Sequence, residues 1–134
     1  MRIAVDAMGG DSGPEVVVPA AIDAVRCGEG DLEVVLVGRE DRIRPLLAGR
    51  DATGVSVTHA SEVIDMSESP LQAFRKKVDA SVTVALRQMR EGRVDAVVSA
   101  GNTGAVVAGS LVTLGRLHGV SRPAISTLWP NKKG

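Results

Sequence analysis

Two short glycine-rich segments hold the residue types best suited to chemistry on an anion. Asp6-Ala7-Met8-Gly9-Gly10-Asp11-Ser12-Gly13 and Ser99-Ala100-Gly101-Asn102-Thr103-Gly104 each follow an apolar run and precede a stretch of helical period. Glycine lets the backbone approach a ligand closely, and free N–H groups at the start of a following helix favour negative charge. An anion in such a place gains about 1–2 kcal/mol when partly buried. Asn102 and Thr103 add side-chain donors, and either also suits the helix N-cap. Asp6 and Asp11 can accept hydrogen bonds or position a substrate, and Asp11 equally suits the cap of a helix opening at Pro14. Arg75-Lys76-Lys77 is a cationic cluster able to pair with phosphate, and also an ordinary charged helix face. One such loop reads equally well as a plain tight turn; two at strand ends favour a site.

Other chemistries find little support. G-x-G-x-x-G is absent from both loops and no Gly-Lys-Ser/Thr follows them, so neither NAD nor ATP is indicated and no cofactor is expected. Asp6 and Asp11 are too few for a metal pair, and Cys27, His59 and His118 form no zinc pattern. Cys27 falls inside a helical stretch and is expected to be buried rather than nucleophilic. Catalysis here would rest on positioning and electrostatics, not on a covalent intermediate.

The elements that must position these loops alternate. Strands are predicted at Ile3 to Asp6, Leu32 to Val37, Val55 to His59, Val94 to Ser99 and Ala124 to Leu128. Helices are predicted from Pro14 to near Gly28, over Asp41 to Leu47, over Pro70 to Glu91 with a break near Asp79, and over 103–117. Residues 61 to 70 are polar and turn-rich. This alternation implies right-handed crossovers and a doubly wound, mostly parallel α/β sheet in three α/β/α layers, with ligands bound beyond the carboxyl ends of its strands. The near-continuous apolar run Val94 to Val98 fits a sheet covered on both faces.

Composition narrows the class. The 134 residues suit one domain, 44% apolar and 24% charged, with one Phe, one Trp and no Tyr. The core must be aliphatic, and base-stacking platforms for nucleic acid are lacking. Lys plus Arg equals Asp plus Glu at 16 each, so no net field draws a polyanion or an acidic membrane. Asp6 interrupts any signal-peptide core, and no window spans a bilayer. A reduced, cytoplasmic domain is expected.

The motifs also carry a resemblance. Arg2-Ile3-Ala4-Val5-Asp6-Ala7-Met8-Gly9-Gly10-Asp11 resembles the opening of the PlsX family, acyl-ACP:phosphate acyltransferases of bacterial phospholipid synthesis. Ser99 to Ala105, Pro70 to Lys77 and Arg122-Pro123-Ala124 are similar to further signatures of that family, in order and correctly spaced, so the resemblance covers essentially all 134 residues. It implies a fold similar to the isocitrate/isopropylmalate dehydrogenase-like fold, and a chain that is the N-terminal part (residues 1–134) of a longer acyltransferase domain. It implies transfer of a long-chain acyl group from acyl carrier protein to inorganic phosphate, a homodimer, peripheral membrane association and a membrane glycerol-3-phosphate acyltransferase that uses the product. Asn102 and Lys77 are the catalytic candidates. Gly9, Gly10, Asp11, Arg75, Ser81, Ser99, Gly101, Thr103 and Gly104 are the candidates for substrate and phosphate. Where the family usually has two adjacent serines this chain has Ala80-Ser81, leaving Ser81 as the hydroxyl candidate. The alternatives are a phosphate acetyltransferase-like or decarboxylating-dehydrogenase-like enzyme, and an inactive piece that binds an anion.

Overall fold

The computed structural model describes residues 1–28 and 31–126. Four parallel strands, β1 (Arg2–Asp6), β2 (Glu33–Gly38), β3 (Val55–His59) and β4 (Ala96–Ser99), form a sheet in the order β3-β2-β1-β4. β1 is central, with Ala4 opposite Val35 on one side and Val97 on the other, and Asp6 opposite Ser99 at its end. Alternate residues of β2 feed opposite layers. Val34 and Leu36 pack with Val18, Ala21, Ile22 and Ile43, while Val35 and Val37 pack with Val84, Ala85 and Val94. A strand covered on both faces has no polar side, which is why β2 reads as one apolar run.

The first layer is α1 (Pro14–Cys27) and α2 (Glu40–Leu47); the second is α3 (Pro70–Lys76), α4 (Ser81–Arg90) and α5 (Thr103–Thr113). α1 opens on Pro14, where the missing N–H costs nothing, and its N-cap is Gly13 rather than Asp11. Buried Pro14, Val18, Ala21 and Ile22 give it one core-facing stripe. A third cluster, Ile64, Ala73, Phe74, Ala80, Val82, Leu86 and Ala105, joins the second layer.

Several boundaries shift from expectation. The predicted helix break near Asp79 is a gap over 77–80, held by the Asp79 carboxylate, which accepts from Ser61 N–H at 2.8 Å and from the Ser61 hydroxyl at 2.6 Å. β4 begins at Ala96, not Val94, because Asp95 is occupied on Arg2: its N–H bonds the Arg2 carbonyl and its carboxylate accepts the Arg2 N–H. α5 stops at Thr113, short of residue 117, where Gly115 turns with φ +83°. Cys27 is exposed, a correction to the expected burial, since it closes the last turn of α1. Of the strand expected over Ala124 to Leu128, residues 124–126 carry none and the rest lies outside the described residues.

Candidate functional site

Both glycine loops emerge from the carboxyl ends of adjacent strands, β1 and β4, and they touch. A Cβ built on Gly9 would stand 2.7 Å from Gly101 N, and one on Gly101 would stand 3.3 Å from Gly9 Cα. Gly10, at φ +83°, lies against Ala100 in a conformation that L side chains rarely adopt. Beneath this seam Asp6 is 4% exposed. Its Oδ2 accepts the Ser99 hydroxyl at 2.8 Å, its Oδ1 accepts Met8 N–H at 3.2 Å, and Gly101 N–H donates to Ser99 Oγ at 3.1 Å. The amides of Gly10, Asn102, Thr103 and Gly104 have no hydrogen-bond partner among the described residues.

The seam floors a cavity of about 340 Å³ bounded by Met8 to Asp11 and Gly101 on one side and by Val63, Ile64, Asp65 and Met66 on the other. A second hollow of about 370 Å³ shares Gly9, Gly10, Asp11 and Met66 and continues past Ser12 and Gly13 to Val16, Val17 and Ala100. Among the described residues no Lys or Arg lines either space, and the attraction they offer an anion there is that of amide dipoles.

Asn102 joins the two sides. It is 9% exposed and caps α5, its Oδ1 accepting Ala105 N–H at 3.0 Å. Its Nδ2 faces the carbonyls of Asp65, Met66 and Glu68 at 3.2, 3.4 and 3.3 Å. Those contacts occupy the amide as a donor and tie the far wall to the start of α5. Lys77, at the end of α3, braces the same wall from behind: Nζ donates to the Val63 carbonyl at 2.7 Å and pairs with Glu68. The Lys77 ammonium, followed by the Asp65 amide, holds the Glu68 carboxyl below its ordinary range. The Ser67 hydroxyl and amide do the same for Asp65, and those of Ser61 for Asp79.

The structure therefore brings together Gly9, Gly10, Asp11, Ser99, Gly101 and Asn102. Thr103 follows as the exposed first residue of α5. Gly104 is held by packing, because a Cβ there would meet Pro70 Cγ at 2.6 Å. Two candidates lie apart. Arg75 lines a different surface groove with Phe74, Val78, Thr83, Arg87 and Arg90. Ser81 is 1% exposed at the first turn of α4, its amide bonded to the Glu62 carbonyl, and it lines neither cavity. In sequence, residues 63 to 66 fall inside the polar, turn-rich stretch and Asp6 has no evident partner. The only signals were apolar Val63, Ile64 and Met66 inside a turn-rich segment, and an acid closing an otherwise apolar strand.

Among the described residues no group of three His, Cys, Asp or Glu could hold a metal ion, and no helix is long and apolar enough to cross a membrane.

Comparison with known proteins identifies the family of the chain. A phosphate acyltransferase of Heliobacterium modesticaldum is 52% identical over 137 residues, covering all of this chain and 40% of the relative. One from Desulfitobacterium hafniense is 48% identical over 135 residues with 40% covered, and one from Myxococcus xanthus is 50% identical over 135 residues with 38% covered. The chain thus spans about two-fifths of the length of these curated relatives. The family model described as fatty acid synthesis protein matches residues 1–134, and the chain belongs to that family, the PlsX family whose motifs its two glycine loops carry.

Proposed function

We propose that the protein of which these residues form a part transfers a long-chain acyl group from acyl carrier protein to inorganic phosphate. The observation that carries this reading is the seam: two glycine loops in contact at adjacent strand ends, with unpartnered amides on both. Relatives named phosphate acyltransferase supply the reaction class. Phosphate is itself the nucleophile, so no Ser or Cys need be acylated. One phosphate oxygen attacks the thioester carbonyl, the C–O bond forms, and the C–S bond then breaks. The carrier leaves as a thiolate that takes up a proton, and acyl phosphate remains. What such a site must do is hold a dianion in line with the carbonyl and stabilise the tetrahedral oxyanion.

In this reading the amides of Gly101 to Gly104 bind phosphate or the oxyanion, and Gly9 to Asp11 form the opposing wall. Asn102 holds the Asp65–Glu68 segment in place, and its Nδ2 reaches substrate only if it gives up one of its three carbonyls. Lys77 contributes positive charge only to the extent that Glu68 releases it. A homodimer and a downstream membrane glycerol-3-phosphate acyltransferase belong to the same proposal and follow from the family resemblance. The test is acyl phosphate formation from palmitoyl-acyl carrier protein and phosphate, run on the full-length protein and on residues 1–134. Turnover by the full-length protein is expected. A folded full-length protein that forms no acyl phosphate overturns the reading and leaves an anion-binding module.

A further inference from the structure

We propose that Asp6 is a positioning residue for the anion cradle and acts through the Ser99 hydroxyl. The inference rests on the reading of the cradle as a phosphate site. A buried carboxylate beneath a site for a dianion is an unfavourable neighbour on Coulombic grounds alone. Its hydrogen-bonding polarity gives it a use there. An ionised carboxylate only accepts. The Ser99 hydroxyl donates to Asp6 Oδ2 at 2.8 Å, so Ser99 Oγ can meet Gly101 only with a lone pair, and Gly101 N–H donates to it at 3.1 Å. Oδ1 takes Met8 N–H at 3.2 Å. One group at the end of β1 thus fixes the residue before Gly9 in the first loop and Gly101 in the second.

The glycines make room for this arrangement. A Cβ on Gly9 would stand 2.8 Å from Asp6 Oδ2, and one on Gly101 3.4 Å from it. Strand pairing sets Asp6 directly opposite Ser99, so the link needs no further loop to align it. An amide at position 6 donates as well as accepts. The direction of the Ser99 proton is then no longer forced, and Gly101 can meet a hydroxyl hydrogen instead of a lone pair.

The experiment uses the full-length protein with inorganic phosphate as probe, measured by titration calorimetry and by steady-state acyl phosphate formation. Ser99→Ala and Asp6→Asn each weaken phosphate binding about 10-fold, the loss of one charge-assisted hydrogen bond. The double variant is no weaker than the weaker single, because both act on one path. Ser99→Thr, which keeps the hydroxyl, recovers most of the loss. In kinetics the same variants raise KM for phosphate more than they lower kcat. Parental phosphate affinity in Ser99→Ala, or additive losses in the double variant, overturns the proposal. If Asp6→Asn does not fold, the Ser99→Ala and Ser99→Thr pair decides alone. A parent that binds phosphate without forming acyl phosphate, while Ser99→Ala loosens that binding, defeats the acyl-transfer reading and leaves the positioning role standing. A parent that turns over while Ser99→Ala keeps its affinity does the reverse. A parent that neither binds phosphate nor turns over removes both.

Discussion

The glycine seam and the 61–68 segment bound the same cavity and are held by different forces. The seam is backbone against backbone, Gly9 on Gly101, over a buried carboxylate. The opposite wall carries one backbone bridge at its start, where Glu62 N–H donates to the Asp79 carbonyl and the Glu62 carbonyl accepts Ser81 N–H. Past that bridge it is tied chiefly by side chains: Asp79 on Ser61, Lys77 on Val63 and Glu68, and Asn102 on three carbonyls. Close backbone contact has no slack, so any added atom must displace something. Side-chain ties stretch and titrate, and salt screens them. One side of the cavity is therefore set by close backbone contact, and the other chiefly by side-chain ties.

The sharpest way to break this contrast is to add one carbon to the side in backbone contact. Gly9→Ala sets a Cβ 2.7 Å from a backbone nitrogen that has nowhere to go. It should cost about 3 kcal/mol of stability, at the upper end for overpacking, and abolish phosphate binding. Denaturant unfolding and calorimetry check both, and a tolerated Gly9→Ala would mean that the loops are not in contact. Asn102→Ala comes next. It removes a helix cap and the tie between the two walls, for about 2 kcal/mol, and turnover of the full-length protein should fall about 10-fold. Unchanged kinetics would restrict Asn102 to the fold.

On the side tied by side chains the effects should be smaller and reversible. Glu68→Gln frees Lys77 and should tighten phosphate binding about 3-fold at low salt, whereas Lys77→Ala should loosen it by a similar factor. If both changes weaken binding, the pair is scaffold and Lys77 lends no charge. The smallest effect is acid loosening of the wall. Asp65, Glu68 and Asp79 titrate below their ordinary range because of Ser67, Lys77 and Ser61 respectively. A depressed folded pKa means that their stabilisation is present above about pH 4 and is lost as pH falls through the lowered values. Hydrogen exchange should show residues 61 to 68 opening under acid while β1 and β2 stay protected. Simultaneous loss of both would show one cooperative unit.

How much of this the sequence discloses depends on the kind of interaction. Strand and helix positions are legible because apolar period and glycine or proline punctuation are local properties. Val34 to Val37 and the Pro14 helix start lie where those signals put them. The two loops are legible as loops for the same reason. Their contact is not, because it depends on the register of β1 against β4, which no local pattern states. Nor does a sequence say whom a charge will meet. Lys77 looks like free positive charge and is paired with Glu68 nine residues earlier. Ser81 looks like an available hydroxyl and is buried where α4 docks on Glu62. The 63–66 wall carries no periodic signal, since it belongs to no helix or strand, and its neighbouring apolar residues are divided between core and surface, with Ile64 buried among Phe74 and Leu86 and Met66 exposed.

The link between Asp6 and Ser99 joins residues 93 positions apart. For a flexible chain, closing a loop of that length costs about 4 kcal/mol of entropy beyond a constant. Nothing in β1, α1, β2, α2 or β3 requires that closure, as those elements pair in sequence order. β4 pairs with β1 from far along the chain, so the cradle rests on a long-range contact, the kind that slows folding. During synthesis the first glycine loop waits while more than 80 further residues are made before its counterpart emerges. On the proposed function, affinity for phosphate belongs only to a chain that has completed the β1–β4 pair.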